Sequence, residues 1–353
     1  MSTSAASVTA GEQAEAQLQA TLRFAVAVTA AFVVCEFLQW TPTFLAPVLA
    51  AALLGNLPMR LPPKLAVVLV VVMAAASLFA FVLASLLRGT PVVMFGLVGL
   101  CIFLAFYAMA RGRPAFPLLL LLICLLIVPV MVMVAPAQSG AVPKGLTRSI
   151  AVAVVMILVV YVPWPRKPPP KPAQATAPGA ATPEALALLS TAVLLPLVLV
   201  YLLFGLSDVL PVLMGTLMLV INFDLRSSRL QALGMILGNF AGGLLGLLLY
   251  MGLLTTPSLP VMALLLFPAL LVLGRHIVAG GPYAAAVLIA CNAMLIIFGS
   301  AIASGPGPLS LWLVRVFQFA LAGTFAVGMM HLTWHRTFFP RPASKSASRS
   351  RTS

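Results

Sequence analysis

The acidic residues of this chain are few enough to take one at a time. There are 6 Asp and Glu in 353 residues, and Glu12, Glu15, Glu184 and Asp224 fall in polar stretches between apolar runs. Glu36 lies inside the first apolar run, about one turn from its far end, and Asp208 lies in a turn between the seventh and eighth runs. A charge at the centre of a bilayer costs roughly 2.5–3.5 kcal/mol, and less toward the interface. Glu36 is therefore expected to face the protein interior, a cavity or a cationic partner. Two chemistries fit it: a carboxyl held away from bulk water can take up and release a proton, or it can form a structural pair with an arginine. Arg148 and Arg315 begin the last apolar run of each half of the chain. A guanidinium recognises a carboxylate through two parallel N–H donors. The two arginines are thus candidates for binding an anionic substrate, or for packing and ion pairing with Glu36 or Asp208. Glu36, Arg148, Asp208 and Arg315 form the candidate substrate-binding or coupling set.

Other chemistries find little support. The three histidines are His276, His331 and His335. The last two are four residues apart on one helix face, a spacing that can bind metal, but no Glu or Cys joins them. They read better as interfacial anchors, and no metal site or cofactor is expected. Cys35, Cys101, Cys124 and Cys291 all lie in apolar runs without metal-ligand spacing, as small packing residues do. No phosphate-binding G-x-x-x-x-G-K-[ST] motif occurs, so active transport would draw on an ion gradient or a partner. No cluster of acids, His or Cys suits catalysis, and the chain does not read as an enzyme.

The elements that must hold these residues are set by composition. Hydrophobic residues make up 62% of the chain and charged ones 7%, against about 25% charged in a soluble domain. Such a chain cannot cover a surface facing water. Apolar runs of about 20 residues recur, long enough to cross a hydrocarbon core of about 30 Å, and the alternation of a β-barrel is absent. The expected fold is an all-α integral membrane protein with twelve transmembrane helices. Six are placed near 22–40, 43–57, 65–87, 91–110, 114–135 and 147–164. Six more fall near 185–205, 207–223, 230–253, 257–277, 282–303 and 308–333. The segments flanking them are a cytoplasmic N-terminal tail over 1–21, a Pro-rich linker over 165–184 and a basic, disordered tail over 336–353. The membrane repeats then occupy 22–164 and 185–335. The N-terminal stretch lacks the basic region of a signal peptide. With the N-terminus inside, all Lys and Arg except Arg88, Lys144, Arg148 and Arg315 fall on the cytoplasmic side. That bias places both termini and the linker in the cytoplasm. The net charge of +14 thus records topology rather than nucleic-acid binding.

The halves echo each other. "NLPMR" at 56–60 matches "NFDLR" at 222–226, an offset of 166. Pro114 matches Pro282 at 168, and the run around Arg148 matches that around Arg315 at 167. An even number of spans per half makes the repeats parallel, related by an axis along the membrane normal. The segment 222–246 combines a charged cytoplasmic turn (Asn222, Asp224, Arg226, Arg229) with Gly234, Gly238, Gly242 and Gly246 at every fourth position. That spacing puts the glycines on nearly one helix face, where they allow close backbone approach in lipid. Asn239 sits beside them and could donate across the contact. The face serves helix packing or, alternatively, a groove that slides during transport. Ala76, Ala80 and Ala84 form a weaker version in the first half. Pro129, Pro196 and Pro268 interrupt apolar runs.

These features together resemble the fusaric-acid-resistance and aromatic-acid exporter (FUSC-like) superfamily, whose halves each carry a short early helix, a charged cytoplasmic turn and a Gly-rich helix. Residues 207–246 carry the resemblance best and residues 41–87 echo it. The chain lacks the soluble cytoplasmic domains of larger members and is most similar to the compact bacterial branch of unknown function. The resemblance implies an inner-membrane exporter of small organic acids, aromatic ones among them. It also implies a periplasmic adaptor of the membrane-fusion type, an outer-membrane channel and a possible homo-oligomer as partners. The alternative is a membrane scaffold or assembly subunit with no pathway of its own. A buried polar cavity joining the halves would favour transport over the scaffold.

Overall fold

The computed structural model describes residues 2–56, 61–165, 182–204, 209–222, 229–281 and 283–305, with a few positions between 317 and 328. All regular elements among the described residues are helices. In chain order they are α1 (Ser2–Phe37), α2 (Leu45–Asn56), α3 (Pro63–Leu86), α4 (Pro91–Ala110), α5 (Ala115–Val134) and α6 (Pro136–Ser139). They continue as α7 (Val142–Val160), α8 (Pro183–Phe204), α9 (Val209–Asn222), α10 (Arg229–Thr255), α11 (Leu259–Ala279) and α12 (Ala284–Ser304). Nine of these are long and apolar enough to cross a membrane. The chain is an all-α, multi-pass membrane protein in contact with lipid.

Local sequence accounts for the boundaries. Proline occupies the first turn of α3, α4, α7 and α11, where its missing N–H leaves no helix bond unmade. Gly280 ends α11 at φ 69°, a left-handed conformation that costs glycine nothing. Pro129, Pro196 and Pro268 lie inside α5, α8 and α11 without ending them. The two short expected spans are short helices. α2 has 12 residues and is buried almost throughout. It packs against α1, α7 and α12, so protein rather than lipid surrounds it.

The largest helix contacts pair up at one sequence offset. α3 lies on α5 in the first half and α10 on α12 in the second; α4 lies on α8, and α1 on α11. Exchanging each helix for its partner at an offset near 167 converts the first pair into the second and the third into the fourth. The last two pairs join the halves: a Cβ on Gly99 would come 2.9 Å from Leu195, and one on Gly274 2.8 Å from Phe24. α5 and α12 are the most enclosed long helices.

The glycine face lies where its spacing places it, with one correction. A Cβ on Gly238 would stand 2.7 Å from the carbonyl oxygen of Ala286, and one on Gly246 2.6 Å from that of Met294. At Gly242 it would overlap the backbone of Ala290. Gly234 is different: a Cβ there meets only Ala286 Cβ, at an ordinary 3.9 Å. Three glycines, not four, form the close seam, because α10 diverges from α12 toward its N-terminus. Asn239 is buried beside them. Ala76, Ala80 and Ala84 are likewise buried, on the helix that meets α5.

Candidate functional site

Glu36 sits at the corner where α1 turns into α2. The first span extends from Ala14 to Phe37, beginning and ending before the expected 22–40. Glu36 therefore occupies the last turn of the helix rather than the turn before it. The stop is built from backbone bonds. Trp40 N–H donates to the Cys35 carbonyl at 2.9 Å and Gln39 N–H to the Glu36 carbonyl at 3.1 Å, the paired bonds of a Schellman C-cap. Gln39 holds the left-handed position at φ 52°, where glycine is usual, and its side-chain amide donates to the same Glu36 carbonyl at 2.8 Å. No glycine announces this helix end, and that is why the sequence reading ran past it.

The corner rests on the first turns of α7. A Cβ on Gly145 would come 2.8 Å from the Thr41 carbonyl oxygen, so only glycine lets the chain pass here. One turn further on, the Arg148 guanidinium lies over the Trp40 ring at 5.2 Å from its centroid. Glu36 and Arg148 thus reach the same corner without pairing: Arg148 rests on the indole, and Glu36 Oε2 is buried without a hydrogen-bond partner. Asp208, Arg315, Asp224 and Arg226 lie outside the described residues. Asn222 ends α9 and Arg229 begins α10.

A second arginine closes the other end of the same helix pair. Arg23, 1% exposed, donates from Nη1 to the Trp164 carbonyl at 2.9 Å and lies 4.5 Å from the Tyr161 ring centroid. The arrangement is reciprocal. Arg148, near the start of α7, stacks on an aromatic just past the end of α1. Arg23, near the middle of α1, stacks on one just past the end of α7. Sequence reading assigned Arg23 only to the topology count. The aromatics at 161 and 164 are its visible counterpart, but only the α1–α7 contact brings them together.

Sequence reasoning also missed Asn292, the one amide in the apolar stretch of α12. It is 1% exposed, and neither its Oδ1 nor its Nδ2 has a partner. Among the described residues no three His, Cys, Asp or Glu side chains group as metal ligands. Cys124 instead faces Met73, Sγ to Sδ 3.6 Å, deep between α5 and α3.

The family described as "Protein of unknown function (DUF2955)" matches residues 20–160, the stretch from α1 to the end of α7. No curated protein and no solved structure matches the chain.

Proposed function

We propose that this chain is the membrane subunit of an exporter in a bacterial inner membrane, driven by an ion gradient and moving small organic acids, aromatic ones among them. On this reading the chain is a transport component rather than an enzyme. It has both termini in the cytoplasm and works with a periplasmic adaptor of the membrane-fusion type and an outer-membrane channel. The FUSC-like resemblance suggests the class. The observation that carries the reading is Glu36: a carboxylate with a buried, unpartnered oxygen at the outer end of a membrane helix that packs against the second half. A purely structural acid would be expected to satisfy that oxygen, since an unpaired buried polar group is costly. An acid that gains and loses a proton must leave it accessible to a donor.

Glu36→Gln tests this, because the amide keeps the shape and removes the titration. In a strain lacking its own copy of the gene, efflux screened over aromatic and aliphatic acids should be lost at normal protein abundance. Export retained at normal abundance would overturn the coupling role. Orientation has its own measurement. Single cysteines within 165–184 and 340–353 should react only from the cytoplasmic side, and those within 136–146 from outside, as the Lys/Arg distribution requires. A linker labelled from outside would overturn the two-half topology.

A further inference from the structure

Polar side chains with buried, unpartnered atoms include Thr29 and the half-buried Glu36 of α1, Thr43 just before α2, and Asn292 of α12, three helices that meet. Thr29, Thr43 and Asn292 are each more than nine-tenths buried.

Their positions follow from the contacts of α12. A Cβ on Gly299 would come 2.6 Å from Phe44, and one on Gly55 3.0 Å from Leu288. α2 therefore runs antiparallel to α12, and Leu288 and Gly299 mark the α12 face that meets it. Asn292 lies within about 40° of both around the helix, level with Val48, Ala51 and Ala52 of α2. The Phe32 and Phe298 rings, 5.3 Å between centroids, set α1 level with α12. Thr29 and Glu36 are seven residues apart, nearly in line on α1 and flanking Phe32. Counting helical rise from these contacts orders the four groups from the outer end inward as Glu36, Thr43, Thr29 and Asn292. They span about 15 Å, half of a hydrocarbon core of about 30 Å.

Two comparisons within the molecule show that this polarity is not a by-product of packing. Hydroxyls in other helical positions bond to their own backbone: Thr191 of α8 to the Ala187 carbonyl, Ser149 of α7 to Gly145 and Ser300 of α12 to Ile297. Thr29 Oγ1 has no such bond, although that option is open to any threonine in a helix. In the equivalent junction of the other half, formed by α8, α9 and α5, the buried hydroxyls of Thr191 and Thr216 lie elsewhere, and the four matching positions are apolar. At offsets of 166 to 168, Thr29 is replaced by Leu195, Pro196 or Leu197, and Glu36 by Leu202, Leu203 or Phe204. Thr43 is replaced by Val209, Leu210 or Pro211, and Asn292 by Cys124, Leu125 or Leu126. The same four positions are apolar in one half and polar in the other.

We infer that the junction of α1, α2 and α12 carries a file of water molecules, entered at Glu36 and ending at the Asn292 amide in the middle of the membrane. Water is the ligand that meets every group in the row. It donates to Oε2 and Oδ1, accepts from Nδ2, and does either with a threonine hydroxyl. The groups are too spread for one cation to bind them together. The file rests on the transport reading only for its use: a hydronium at its mouth gives its proton to the Glu36 carboxylate, leaving a neutral carboxyl and water.

Thiol chemistry tests the file whether or not the chain transports anything, because a thiol must ionise to react and burial in apolar surroundings suppresses that. The probe is a small cationic methanethiosulfonate added outside proteoliposomes of inward-facing N-terminus. Asn292→Cys and Thr29→Cys are each made in a chain whose four native cysteines are alanine. The reference is native Cys124, retained alone, fully buried against Met73 between α5 and α3. Both introduced thiols should react at least about tenfold faster than Cys124. Either variant suffices if the other does not fold. Reaction of the folded variants no faster than Cys124 would overturn the file. Fast labelling together with export unaffected by Glu36→Gln would keep the file and remove its part in coupling.

Discussion

Alanine at Gly242 is expected to destabilise the protein by more than about 3 kcal/mol, beyond the usual range for overpacking. A methyl there would overlap the Ala290 backbone, and backbone in the middle of a helix cannot yield as a side-chain tip can. The neighbouring positions should grade the effect. Gly238→Ala and Gly246→Ala place the methyl 2.7 and 2.6 Å from carbonyl oxygens and should each cost about 1–3 kcal/mol. Gly234→Ala meets nothing closer than 3.9 Å and should be neutral or gain up to about 1 kcal/mol from helix propensity. Reversible unfolding of the four variants in bicelles measures the series. Equal losses at Gly234 and Gly242 would contradict a seam closed by backbone contact.

Arg23→Ala should cost about 3–5 kcal/mol, comparable to breaking a buried ionic contact. The substitution opens a cavity under a fully enclosed side chain, removes the cation–π contact with Tyr161 and takes the donor from the Trp164 carbonyl. Arg148→Ala removes the same kind of contact at the opposite end. Arg148 is exposed, however, and its loss should cost no more than about 1 kcal/mol. Both are measured by the same unfolding assay. Similar losses at the two arginines would mean that burial does not decide their weight. Arg23→Lys should recover only part of the loss, because a single ammonium does not reproduce the planar face that lies on the ring.

The sequence by itself determined the class of fold and the character of one seam. With so few charges, lipid is the only solvent that suits the chain, and helices are the elements that close their own hydrogen bonds there. Glycine at every fourth residue shows a close approach because that geometry belongs to one helix alone. What lay on the other side of each helix was decided elsewhere. Gly234 resembles Gly242 in sequence, yet only the divergence of α10 from α12 separates a tolerant position from an intolerant one. Glu36 stood out because acids are scarce, but the chain held no glycine to mark the turn that placed it at a helix end. Arg23 was one of the cytoplasmic charges by sequence, and only the packing of α7 brings Tyr161 and Trp164 to it. Thr29, Thr43 and Asn292 were ordinary residues in three distant stretches, separated by up to 263 positions in the chain. Periodicity reports which residues share a face of one helix. Which faces meet is settled by packing among helices far apart in sequence, and the row of polar groups exists only in that packing.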